Sequence, residues 1–150
     1  MRSACEFVTH NPAETHEVGR TLGKGLHGGE IVLLFGPLGA GKTVFVQGLA
    51  EGLGLRPEEV RSPAYTLINE HPGKVSLFHA DLYRLSPESL VDLGLEEIYG
   101  DDQVVAVEWA ERLEEAGWDL VDAVTVEIDC HPTEDDTRMI MLNALVPQVS

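Results

Sequence analysis

Eight consecutive residues, Gly36-Pro37-Leu38-Gly39-Ala40-Gly41-Lys42-Thr43, carry the most specific chemistry in the sequence. They satisfy G-x-x-x-x-G-K-[ST] and stand between an apolar run, Ile31 to Phe35, and a stretch with helical apolar spacing. Glycines let the backbone curl until successive N–H groups point inward, and a following helix directs its positive end at the same place, so such a loop cradles phosphate oxygens. Lys42 is then placed to reach β- and γ-phosphates, and the Thr43 hydroxyl to coordinate Mg2+. A glycine-rich turn with a chance lysine is the competing reading; the flanking strand and helix patterns speak against it.

A magnesium ion keeps most of its positions for water and phosphate oxygens, so one acid suffices beside Thr43. Two candidates follow apolar strands. Glu108 comes directly after Val104-Val105-Ala106-Val107, at the C-terminal end of a buried strand, where ligands of open α/β sheets collect, and it is the favoured metal ligand. Asp81, in His79-Ala80-Asp81-Leu82-Tyr83-Arg84, could hold a metal-bound water, orient the attacking water, or pair with Arg84. His79 reads either as a hydrogen-bonded structural group or, by its closeness to Asp81, as a functional one. Trp109 is open between a contact with partner or nucleotide and packing. Ser62 to Leu67 could sense a γ-phosphate or form only a turn.

These groups need a sheet and helices to hold them. Asn11-Pro12-Ala13-Glu14 offers a cap, a proline at the first helical position and an acid in the first turn, so a helix is expected from there to about Leu26, ended by Gly28-Gly29. Ile31 to Phe35 has the length and continuity of a strand covered on both faces. Val46, Leu49, Ala50 and Leu53 repeat at i, i+3, i+4 and i+7, giving an amphipathic helix that stops near Gly54. Val75 to His79 and Val104 to Val107 read as further strands, with a short helix opening at Ser86-Pro87-Glu88 between them and ending by Gly94. Ala123 to Ile128 and Arg138 to Leu142, joined by HPTEDDT, predict a C-terminal antiparallel hairpin. The expected fold class is α/β: one P-loop NTPase-like domain over residues 1–150, with a mainly parallel sheet flanked by helices and a hairpin addition.

Composition narrows the function classes. A chain of 150 residues buries roughly 70% of its unfolded surface and needs no staples to fold. Cys5 and Cys130 are far apart and lack CxxC spacing, which suggests neither a disulfide framework nor a zinc site. No apolar run approaches the ~20 residues of a membrane helix, and the N-terminus does not read as a secretory signal, so a cytoplasmic protein without membrane contact is expected. The formal charge of −16 is uneven: residues 92 to 150 hold 16 acids against only Arg112 and Arg138, while residues 1 to 91 are nearly balanced. Such a surface repels nucleic-acid phosphates, which disfavours extensive RNA or DNA binding by this chain alone. It is either a solvated face or a docking surface for a basic protein.

Taken in order and spacing, GPLGAGKT, SPAYTL, HADLYRL, LGLEEI and VEWAERL resemble the TsaE family, also called YjeE, from the N-terminal helix to the last hairpin. That resemblance implies a small bacterial ATPase with ATP and Mg2+ as cofactors. Such a protein is required for the threonylcarbamoyl modification of the tRNA adenosine beside the anticodon, and works with the TsaD and TsaB proteins. It implies that tRNA is met only indirectly, through that complex, and that TsaD carries the transfer itself. Carried over by motif, Gly39, Ala40, Gly41, Lys42, Thr43 and Val44 would bind phosphates, and Thr43 and Glu108 the metal. Lys42, Asp81 and Glu108 would form the catalytic set, with Asn11 and Thr137 near the nucleoside. Ser62 to Leu67 and Glu108-Trp109 would be the two switch loops.

Four residues depart from the family pattern: Pro37 for a polar or acidic residue, Ala64 for threonine, Ala110 for proline after Glu-Trp, and Thr137 for glycine. The first should leave a backbone cradle intact, the second removes a hydroxyl, the third is expected to loosen its loop, and the fourth bears on the nucleoside position. A small-molecule kinase would share the loop, yet it needs arginines closing over the transferred group, and no lid-like insertion is apparent. A GTP-driven switch would carry an N/TKxD segment, which the sequence lacks.

Overall fold

A computed structural model describes residues 2–37, 39–61, 68–83, 100–115, 117 and 122–145. In chain order these form β1 (Arg2–Thr9), α1 (Pro12–Lys24), β2 (Ile31–Phe35), α2 (Lys42–Gly52), a single 3-10 turn (Pro57–Glu59), β3 (Ile68–His71), β4 (Ser76–Asp81), β5 (Gln103–Glu108), α3 (Glu111–Glu115), β6 (Val124–Cys130) and β7 (Arg138–Leu145). The seven strands make one sheet in the order β1-β7-β6-β2-β5-β4-β3. The α/β class is as expected, but the sheet is mixed rather than mainly parallel. β6, β2, β5 and β4 run parallel, whereas β1 with β7, β7 with β6 and β3 with β4 are antiparallel. The difference comes from β1 and β3, two edge strands whose sequences, RSACEFVT and INEH, show no apolar run.

Helix α1 starts as its residues require: the Asn11 carboxamide oxygen accepts from Glu14 N at 2.9 Å and proline sits in the first turn. It ends at Lys24, short of Leu26, where Gly25 N already turns back to Leu22 O at 2.9 Å. Helix α2 buries Phe45, Val46, Leu49 and Ala50 against the sheet. The two helices pack backbone to backbone, and a Cβ on Gly48 would fall 2.0 Å from His16 O, so only glycine permits that approach. Beneath them lie Val32, Leu34, Leu77, Val104, Ala106, Val124, Val126 and Ile128, one face of the sheet. The opposite face, Leu33, Ala80, Val105 and Val107, packs on Ala110 and Leu113. Strands β2 and β5 are thus covered on both sides, which is why each reads as an unbroken apolar run.

Register then sets where chemistry can occur. Glu108 is level with Leu34 on one neighbour and with Asp81 on the other, so β2, β5 and β4 end together beside the glycine loop. The segments SPAYTL, SPES and LGLEEI lie outside the described residues, as do Leu38 and Arg84.

Candidate functional site

The loop from β2 to α2 takes its shape from glycines in left-handed backbone: φ is 147° at Gly36, 80° at Gly39 and 101° at Gly41. Gly36 could not be replaced in any case, because a Cβ there would lie 2.3 Å from Ile128 O. Gly41 caps α2 without a side-chain hydrogen bond, so the first N–H groups of that helix face the loop unclaimed by a cap. A cleft of about 260 Å³ opens there, lined by residues 39–44 together with Asp81, Glu108 and Trp109.

Within it, the Thr43 hydroxyl donates to both oxygens of Glu108, at 3.1 and 3.2 Å, across 65 residues of sequence. Glu108 is almost wholly buried, and its Oε2 also receives Nε2 of His79, a fully buried residue of β4. Asp81 faces the same cleft and accepts from Tyr83 N at 3.0 Å. Lys42 is buried, with its ammonium folded back onto Gly36 O at 2.6 Å and Pro37 O at 3.0 Å. Burial pushes its pKa below the ordinary lysine value, against the opposing pull of the Glu108, Glu111 and Asp81 carboxylates.

Trp109 supplies the fourth wall. Its φ of 59° is the only left-handed value among the described non-glycine residues. Such a conformation costs on the order of 1–3 kcal/mol. Its ring lies 4.7 Å from that of Tyr83 and 4.0 Å from the Lys42 ammonium. Those contacts contribute roughly 0.5–1.5 and 0.5–2 kcal/mol. The two magnitudes match, so the ring contacts are sufficient to hold the strained turn. Trp109 therefore both packs and lines the site. The next residue, Ala110, is tied down by its N–H to Leu34 O at 3.2 Å, a bond that proline could not donate. The loosening expected from the missing proline is offset by that bond.

On the other side of residue 40 lies a smaller cleft, about 140 Å³, lined by Asn11, Thr15, residues 39–41, Val44, Asp136 and Arg138. Thr137 is not among its walls: its buried hydroxyl donates to Glu134 Oε2 at 3.0 Å. Arg138 takes its place, with Nε on Ala40 O at 3.0 Å and Nη2 on Gly39 O at 3.3 Å, and so fastens the β6–β7 turn to the glycine loop. The fold thus gathers Gly39 to Val44, Asp81 and Glu108 in one cleft, brings Asn11 to its neighbour, and leaves Thr137 outside both. Two contacts were not anticipated. His79 engages Glu108 rather than Asp81, and Arg138 holds the loop. A signal for Arg138 was present, since it is one of only two cations after residue 91.

Whether Mg2+ suits these residues is decided by donor type. Thr43 and Glu108 offer hard oxygen donors within hydrogen-bond reach of each other, in a cleft with room for water and phosphate, which fits an ion that keeps few protein ligands. No group of three or more His, Cys, Asp or Glu that could hold a metal ion by itself occurs among the described residues, so an ion here would depend on Thr43 and on water and phosphate oxygens.

The model of the family described as "Threonylcarbamoyl adenosine biosynthesis protein TsaE" matches residues 9–140. The chain belongs to the TsaE family. A TsaE from a Nostoc species is 47% identical over 105 residues, covering 66% of this chain and 64% of that protein, somewhat under two thirds of the relative's length. The Streptomyces coelicolor TsaE is 38% identical over 135 residues, 86% of this chain and 89% of its own. The crystal structure of YdiB from Bacillus subtilis superposes with a TM-score of 0.75 at 32% identity, covering 97% of this chain and 88% of that one. The cleft, the acid at the end of β5 and the loop beside it all fall inside the region matched to TsaE. No helix among the described residues is long and apolar enough to cross a membrane.

Proposed function

We propose that this protein binds and hydrolyses ATP with Mg2+, and that it does so in support of the threonylcarbamoyladenosine modification of tRNA, acting on a complex of TsaD and TsaB. The observation that carries the reading is the meeting of Thr43 and Glu108 at 3.1 and 3.2 Å at the mouth of a glycine loop that also holds Lys42. The names borne by the relatives supply the pathway, and the acidic stretch over residues 92–150 supports an indirect route to tRNA.

The residues divide the work. Main-chain N–H groups of residues 39–44 grip the phosphates, and Lys42 exchanges its bonds to Gly36 O and Pro37 O for phosphate oxygens. Its aliphatic stem stays buried, so the exchange moves the ammonium without exposing apolar surface. Thr43 and Glu108 would hold Mg2+, which would supply positive charge against the negative charge developing on the phosphates. Asp81, level with Glu108 and lining the same cleft, would accept from a water at that end of the sheet. Asn11 and Arg138 border the smaller cleft, which would take the nucleoside.

Phosphate release by the purified chain, alone and with TsaD and TsaB from the same source, tests this. Mg2+-dependent hydrolysis stimulated by the mixture is expected. A phosphorylated small-molecule acceptor in place of free phosphate would turn the reading into that of a kinase, and hydrolysis indifferent to the two partners would remove them from the proposal.

A further inference from the structure

His79 is the buried polar group that the phosphate loop does not explain. It lies on β4 at 0% exposure, with Leu77 two residues before it on the same face. Its partner in register on β5 is Ala106, whose small side chain leaves the imidazole free to reach diagonally to Glu108, two residues on. An ionised carboxylate only accepts hydrogen bonds, so Nε2 carries the proton it shares with Oε2. The other ring nitrogen, Nδ1, is buried without a hydrogen-bond partner among the described residues. Burying a group this way is unfavourable, and an apolar side chain of similar size would avoid the loss. Packing alone therefore does not account for a histidine here.

We propose that His79 is a positioning residue for Glu108. Among the described residues the carboxylate has two donors, the Thr43 hydroxyl and His79 Nε2. They differ in permanence. Thr43 begins the mobile exchange of partners that ligand binding requires, since its hydroxyl is itself a candidate metal donor, whereas His79 sits in the sheet and has nothing else to bind. When Thr43 turns from Glu108 to the ligand, His79 alone keeps Oε2 in place and Glu108 aimed at the cleft. Losing an outer hydrogen bond of this kind typically costs about 10–100-fold in metal affinity.

The inference rests on the Mg-ATP reading, and the test separates the two. Binding of a non-hydrolysable ATP analogue is titrated with Mg2+ by calorimetry. In His79→Leu the Mg2+ half-saturation is expected to rise about tenfold or more, with affinity for the metal-free analogue within about threefold of wild type. His79→Gln, which keeps an N–H at similar reach, should return the half-saturation to within about threefold. If His79→Leu loses its cooperative melt, His79→Asn, which withdraws the donor from Oε2, replaces it. A folded donor-less variant with wild-type Mg2+ half-saturation overturns the inference, as does His79→Gln being equally defective. A wild-type protein whose analogue affinity ignores Mg2+ overturns the underlying reading as well.

Discussion

The two sides of the glycine loop are built differently. On the side of Glu108, closed in that its charged groups are buried, Thr43, Glu108 and His79 are linked side chain to side chain, and Lys42 beside them folds back onto Gly36 O and Pro37 O; the side of Asn11, an exposed residue, is the open one. On the side of Asn11, side chains satisfy backbone instead: Arg138 holds Gly39 O and Ala40 O, and Asn11 holds the first turn of α1. The first arrangement places charge, the second places chain. A substitution on the closed side orphans a buried ionic group and strikes chemistry directly, whereas one on the open side loosens the frame on which the ligand rests.

The largest effects should accordingly come from the closed side. Lys42→Ala is expected to lower kcat/KM for ATP by at least about 100-fold, the scale for removing one group that meets developing charge. Glu108→Ala should cost Mg2+-dependent hydrolysis a similar factor while leaving more of the nucleotide binding intact. Steady-state kinetics with equilibrium binding would show this split, and normal hydrolysis in both variants would reject the site altogether.

Arg138→Ala probes the open side. Its bonds to two loop carbonyls are charge-assisted, worth about 1.5–3 kcal/mol in favourable cases, and half-exposure reduces that. KM for ATP should rise about tenfold, with kcat little changed, because Thr43, Glu108 and His79 keep their partners. Arg138→Lys should restore the KM only in part, since lysine lacks the fixed planar fork through which Nε and Nη2 reach the two carbonyls. A fall in kcat without change in KM would mean that the two sides are not separable.

The same contrast explains what could be read from the sequence. The closed side was legible where a local pattern encodes it: the loop motif fixes Lys42 and Thr43, and an acid after a buried apolar run marks Glu108. Its link to His79 was not legible, because the diagonal between His79 and Glu108 depends on how β4 and β5 register, which no window along the chain reports. The helix cap at Asn11 was visible as four consecutive residues. Edge strands were not. Strand β1 is polar at its start and β3 has one apolar residue in four, so each exists through pairing with a single neighbour rather than through its own periodicity. Missing them made the sheet look more parallel than it is. Thr137 was named where its neighbour Arg138 lines the smaller cleft: Thr137 lies in the turn before β7, with its hydroxyl given to Glu134.

The finest test separates two roles within one side chain. Asn11 gives its Oδ1 to the cap and borders the smaller cleft, which leaves the Nδ2 amide as the group available to a ligand. Asn11→Ala removes both and should cost about 1 kcal/mol of stability, a fall in Tm of about 2–4 °C for a chain of this size. Asn11→Asp keeps a capping oxygen and replaces the donor by an acceptor. Its Tm should stay near that of wild type while affinity for ATP drops several-fold, the worth of one neutral hydrogen bond. Melting curves and titrations on the two variants give four numbers, and only the combination of retained stability with lost affinity in Asn11→Asp assigns the amide to the ligand. If both variants lose stability alone, Asn11 shapes the chain without touching what it binds, and the open side is scaffold throughout.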